Sequence, residues 1–185
     1  MKKKIVALLV MATLVFGITA CGGSDAGAND ADNSNVENDA EVELESEGTL
    51  IFDLPEGWTY DEASQLYYGP NYPNEMANIN YYSIANDGSF SLVTQAMMEE
   101  ALEDSLTSAY GETIDVNVSK WEETSVDGYE AIEYTIKYSY AGFEIAQTQV
   151  IVNGKDNFHY LTLTESTAEG YEETFNTVID SMRFE

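Results

Sequence analysis

YEAIEYTIKYSYAGFEIAQTQVIVNGKDNFHYLTLT, residues 129–164, is the stretch that decides the fold. Ile132, Tyr134, Ile136 and Tyr138 recur at every second position, the period of a half-buried strand. Ala141-Gly142 and Asn153-Gly154 separate alternating runs, and Asn-Gly is a strong signal for a two-residue hairpin. Tyr129 to Thr164 therefore predicts a three-stranded antiparallel meander. Strand patterns also precede it. Ile114, Val116 and Val118 share one face, and Ala77 to Ser83 places Ile79 and Tyr81 together. A shorter strand is expected around Gln65 to Tyr68, before the breaker Gly69-Pro70-Asn71-Tyr72-Pro73-Asn74. Leu50-Ile51-Phe52 opens the folded part and is stopped by Pro55 and Gly57.

Two segments change period. Across Ser91 to Ala109, Met98, Leu102, Leu106 and Ala109 lie on one helical stripe, and Gly111 suits the helix end. Ser166-Thr167-Ala168-Glu169 has the form of a capping box and predicts the start of a last helix. Tyr171, Phe175, Ile179 and Met182 form its apolar stripe, and Met182-Arg183-Phe184 leaves it as an extended tail. The expected fold class is α+β, a central antiparallel β-sheet packed by helices.

Short motifs add a family resemblance to this pattern. Phe52-Asp53-Leu54-Pro55-Glu56-Gly57-Trp58, the acidic mid-chain helix, Asp127-Gly128-Tyr129-Glu130-Ala131 and the closing Val178 to Phe184 resemble the PsbP-like family of small secreted proteins and lipoproteins. The resemblance covers nearly all of residues 49–185 and implies an α/β/α sandwich around the sheet. It implies accessory or adaptor roles and carries over no catalytic residue.

The N-terminus reads as an address. Lys2-Lys3-Lys4 precede an apolar run from Ile5 to Ile18, too short for an ordinary spanning helix, which needs about 20 apolar residues. Ile18-Thr19-Ala20-Cys21 then resembles the bacterial lipobox. That resemblance implies lipidation of the Cys21 sulfur and cleavage before it, a reaction that requires the nucleophilicity of a thiolate. Residues 22–48 hold nine acidic groups, no basic residue and no aromatic one. Such a segment cannot offset chain entropy by apolar burial and is expected to be a disordered tether. The expected organisation is a lipoprotein signal peptide at 1–20, a lipidated cysteine and acidic tether at 21–48, and a folded domain at 49–185. Asp30, Asp32, Ser34 and Glu41 match positions of a calcium loop, but Asn35 replaces the turn glycine and no helices flank it.

Charge and composition exclude several functions. The chain has 7 basic and 34 acidic residues, a formal net charge of −27. Everything after Cys21 carries only Lys120, Lys137, Lys155 and Arg183 against all 34 acids, a balance of −30. Such a polyanion does not neutralise phosphates, so nucleic acid is excluded as a direct partner. One cysteine excludes an internal disulfide and a multi-cysteine zinc site. His159 is the single histidine, lies within a strand pattern, and is expected to be a sheet residue bonded to a neighbour or to water. Gly154-Lys155 is followed by Asp156 and reads as a turn, not a phosphate loop. The pairs Glu99-Glu100, Glu122-Glu123 and Glu172-Glu173 could do acid/base work only if one member were desolvated. No catalytic or metal-binding set is assigned.

Tyrosine is the unusual feature, with 13 residues. Tyr67, Tyr68, Tyr72, Tyr81 and Tyr82 crowd one stretch around two prolines and are the candidate binding residues. The sequence as a whole predicts a non-enzymatic accessory or binding module outside the cytoplasmic membrane. It is expected to hold the lipid bilayer through acylated Cys21, to meet a protein or glycan partner, and to use no cofactor. A carboxylate-based hydrolase and a weak divalent-cation binder are the two other readings.

Overall fold

The structure, a computed structural model, describes residues 47–185. The signal segment, Cys21 and the Asp30 to Glu41 pattern lie outside the described residues. Seven strands form one antiparallel sheet: β2 (Thr59–Asp61), β3 (Leu66–Tyr68), β4 (Asn78–Ala85), β5 (Asn117–Val126), β6 (Tyr129–Tyr140), β7 (Phe143–Asn153) and β8 (Asn157–Ser166). Their spatial order is β2-β3-β4-β8-β7-β6-β5. A separate ribbon joins β1 (Leu50–Ile51) to β9 (Arg183–Phe184). Helix α1 (Gln95–Tyr110) and helix α2 (Glu172–Asp180) complete the fold.

The expected meander is present as β6-β7-β8, and β4 joins its inner edge. β8 is therefore the central strand, and every residue from Phe158 to Ser166 is buried. Alternation divides it between two cores. Phe158 and Tyr160 face Met98, Leu102 and Leu106 of α1, together with Ile132, Tyr134 and Ile136. Leu161 and Leu163 face Phe175 and Val178 of α2, together with Ile79, Val150 and Trp58. Burial of each such side chain contributes about 1.5–3 kcal/mol. A polar row lies within the α1-side interior: Gln149 Nε2 donates to Thr162 Oγ1 at 2.8 Å, and Gln147 Nε2 to Thr164 Oγ1 at 3.1 Å.

Local chemistry places the boundaries. Thr94 Oγ1 accepts the Met97 N–H at 3.4 Å, and Gly111, at φ 72°, closes α1 in the left-handed conformation. The strict two-residue hairpins are Asp127-Gly128 and Ala141-Gly142, both residues of each having positive φ. Asn153-Gly154 instead begins a longer connection to Asn157. The Ser166 to Glu169 box forms a reciprocal turn: the Ser166 N–H donates to Glu169 Oε2 at 3.4 Å, and the Glu169 N–H to Ser166 O at 2.9 Å. It does not open α2, because Gly170 at φ 77° reverses the chain first and Glu172 begins the helix. On α2, Val178 rather than Ile179 is fully buried.

Replacing Leu102, 1% exposed, by Ala is expected to cost about 2–5 kcal/mol through lost contacts and a cavity. Leu92, 56% exposed, should change stability by no more than about 0.5 kcal/mol on the same substitution. Urea denaturation of both variants checks the assignment of the α1-side core.

Candidate functional site

The five candidate tyrosines divide between the edge of the sheet and its interior. Tyr67 and Tyr68 are neighbours on β3, so they point to opposite faces. Tyr67 packs on Tyr60 of β2, with ring centroids 5.0 Å apart, and meets Phe52 edge-on at 5.9 Å. Tyr68 stacks on Tyr72 at 4.0 Å. Two tyrosine pairs thus flank the same sheet edge, one on each side. Tyr60 and Tyr72 are 51% and 53% exposed. Tyr60 carries no signal in the sequence, because Thr59–Asp61 is an exposed three-residue strand without apolar alternation.

The edge is held rigidly. Ser64 donates twice to Asp61 Oδ2, from its hydroxyl at 2.6 Å and its N–H at 2.9 Å, closing the β2–β3 turn. The loop beyond β3 is tied to the start of α2. Tyr171 OH donates to Glu75 Oε2, and Glu169 Oε1 accepts the Met76 N–H at 2.8 Å. Trp58 packs edge-on against Tyr171 at 5.7 Å beneath this loop.

Tyr81 and Tyr82 turn away from that edge. Tyr82 stacks on Tyr160 at 4.7 Å on the α1 side. Tyr81 faces the α2 side, and its hydroxyl lies 2.9 Å from His159 Nδ1. His159 Nε2 lies 2.7 Å from Glu47 Oε1. An ionised carboxylate only accepts, so Nε2 carries a proton and donates to Glu47, while the Tyr81 hydroxyl is the partner of Nδ1. Glu47 also accepts the Asp156 N–H at 2.8 Å and Asn157 Nδ2 at 3.4 Å. The histidine is thus a sheet residue with both nitrogens bonded, as its strand position implied. Its acidic partner comes from the last residues of the acidic stretch, two positions before the expected start of the domain.

This Tyr-His-Glu row resembles a catalytic relay in order but not in chemistry. Burial and the Glu47 charge push the Tyr81 phenol up from its ordinary pKa, the reverse of what activates a nucleophile. The paired carboxylates are also unsuited to acid/base work: Glu100, Glu122, Glu123, Glu172 and Glu173 are exposed, and Glu99 is half-buried. Among the described residues, no group of three or more His, Cys, Asp or Glu is arranged to hold a metal ion.

No family model and no curated protein sequence matches the chain. Among solved structures it is similar to the cyanobacterial PsbP protein CyanoP of Synechocystis sp. PCC 6803. The TM-score is 0.54 at 12% identity, over 80% of this chain and 98% of that one. LpqN of Mycobacterium tuberculosis, described as involved in cell envelope biogenesis, matches with TM-score 0.45 and 17% identity, over 76% and 86% of the two chains. The fold is the PsbP-like α+β fold expected from the motifs.

Burial alone raises the Glu47 pKa, but its donors from Asp156, His159 and Asn157 outweigh that and leave it below the ordinary value. A depressed carboxyl adds stability above its unfolded pKa and loses it as pH falls through its folded one. Glu47→Gln should therefore destabilise the fold by about 1–3 kcal/mol at neutral pH. The gap should close in acid. Urea unfolding across a pH series checks this, and a gap independent of pH would show that the Glu47 charge is not linked to folding.

Proposed function

We propose that the chain is an extracytoplasmic lipoprotein, held in the bilayer through acylated Cys21, whose domain is a non-catalytic binding module for a neutral glycan. The observation that carries this reading is the tyrosine edge, two aromatic pairs built from β2, β3 and the loop that follows β3. Phenol faces stack on the C–H face of a sugar ring while their hydroxyls bond its edge. Around Tyr60 and Tyr72 stand Asp61, Glu62, Pro70 and Asn71 rather than large aliphatic residues. That composition suits a hydrated sugar better than the apolar centre of a protein interface. The groups that would support hydrolysis have other work: His159 and Glu47 fasten the N-terminal entry, and the acidic pairs lie at the surface.

The anchoring half of the proposal follows from the N-terminal motif. From Cys21 to Glu47 the chain runs for about 26 residues, which at full extension span no more than about 94 Å. Two or three acyl chains, at about 0.8 kcal/mol per buried CH₂, hold such a protein stably where one would not.

Replacing Cys21 by Ser should abolish fatty-acid labelling and leave an uncleaved precursor, while the domain still folds. Normal labelling and processing of that variant would show the anchoring reading to be wrong. For the glycan, Tyr60→Ala and Tyr72→Ala should each weaken retention on a neutral polysaccharide affinity gel at least about tenfold, equal to about 1.4 kcal/mol. Retention that is absent in the parent chain, or unchanged in both variants, would count against the tyrosine edge as the site.

A further inference from the structure

The α2 side of the sheet carries a second feature at the end opposite the tyrosine edge. Between strands β5–β8 and the start of α2 lies a cleft of about 430 Å³. That volume falls within the range of small-ligand sites, about 300–1,000 Å³. Cross-strand register builds its floor. Lys137 pairs with Ala146, and Ala146 with Glu165. In the next row Lys120 pairs with Thr135, and Thr135 with Thr148. Ala146 is small, so nothing fills the space between Lys137 and Glu165, whose Cα atoms stand two strand spacings apart, about 10 Å. Phe175 and Asn176 of α2 supply the wall.

The cleft is bipolar. Lys137 is exposed and, among the described residues, forms no ion pair, although acids outnumber bases 34 to 7 in this chain. Lys120 beside it holds Glu133 at 2.5 Å and Glu122 at 3.4 Å. At the opposite end Glu165 is 8% exposed. One of its oxygens accepts the Tyr171 N–H at 2.7 Å, and no described cation pairs with it. Burial raises the Glu165 carboxyl above its ordinary pKa against that N–H, and the neighbouring Glu169 and Glu172 charges push the same way. An incoming ammonium would offset Glu165 and Glu172, the two acids that line this end of the cleft.

A simple anion entering this cleft meets Glu165 and Glu172, and a simple cation meets Lys137. A molecule charged at both ends satisfies both. We propose that the cleft binds a short peptide by its termini, the carboxylate against Lys137 and the ammonium against Glu165. At about 3.3–3.6 Å per extended residue, three residues span the gap. The Thr135 and Thr148 hydroxyls, bonded to each other at 2.9 Å, lie beneath the peptide groups. This site shares no residue with the tyrosine edge and stands or falls independently of the glycan reading.

Calorimetric titration of the full chain in detergent micelles with trialanine tests the proposal. Saturable binding is expected, weakened at least tenfold when trialanine is N-acetylated or C-amidated. Lys137→Met and Glu165→Gln should each weaken trialanine binding at least tenfold, Lys137→Arg should retain it, and Lys155→Met, an equal change of net charge on the β7–β8 connection, should leave it unchanged. In Glu165→Gln the side-chain amide oxygen still offers an acceptor to the Tyr171 N–H. If that variant nonetheless fails to fold, the exposed Lys137→Met decides. No saturable heat with trialanine, equal binding of the capped forms, or parental affinity in Lys137→Met would overturn the proposal.

Discussion

The two-sided burial of β8 is the constraint on which the rest of the structure depends. Its even-numbered residues Phe158 and Tyr160 belong to the core under α1, and its odd-numbered residues Leu161 and Leu163 to the core under α2. A slip of one residue would exchange the two sets and send Thr162 and Thr164 into the α2 core without partners. Register is therefore enforced twice, by apolar fit on one face and by hydrogen bonding on the other. Gln149 and Gln147 of β7 find Thr162 and Thr164 only in the observed pairing. A buried polar row of this kind destabilises misaligned alternatives more than it strengthens the native one, because every lost partner leaves an unpaired group in low dielectric.

A sheet seven strands wide is about 29 Å across at ordinary strand spacing. Helix α2 has nine residues and is about 13 Å long. It covers the centre of its face, over β8 and its neighbours, and leaves the flanks. One flank is the β2–β3 corner with its paired tyrosines, and the other is the cleft that runs from β5 to the end of β8. The Tyr60–Tyr67 pair and the cleft, both on the α2 face, follow from the same mismatch between a broad sheet and a short helix, while the Tyr68–Tyr72 pair lies on the opposite face. The segment from the end of β8 into α2 borders both flanks: Tyr171 and Glu169 fasten the corner loop, while Glu165 and Phe175 bound the cleft.

Most of the fold was legible because most of it is governed by local period. Tyr129 to Thr164 alternates cleanly, and α1 shows its stripe at Met98, Leu102 and Leu106. Legibility failed where tertiary context decides. Thr59–Asp61 is a strand only because β3 pairs with it, and all three residues are exposed. Ser166 to Glu169 has the right residues for a helix start, but the strand continues to Ser166 and Gly170 turns the chain before the helix begins. The candidate site was legible in part for the same reason. Crowded tyrosines mark an aromatic surface, whereas the strand pleat decides that Tyr81 and Tyr82 go inward. Lys137, Ala146 and Glu165 are far apart in sequence and become one row only through the register of three strands.

Glu47 shows how little composition says about a single residue. It closes a stretch whose other acidic residues look identical to it, and electrostatics alone would keep such a stretch away from a domain of the same sign. Glu47 nonetheless docks, because the β7–β8 connection offers the Asp156 N–H, the Asn157 amide and the His159 ring to one carboxylate. Gly154 makes room: a Cβ there would stand 2.5 Å from Glu47 Oε2. Gly48, at φ 80°, then lets the backbone pass Glu185, whose carbonyl accepts the Thr49 N–H at 2.6 Å. The only histidine of the chain is thus committed to fastening the domain's N-terminal entry to its central strand. The same contact joins the first described residue to β8, so the point where the acidic segment meets the domain is fixed by the strand that fixes everything else.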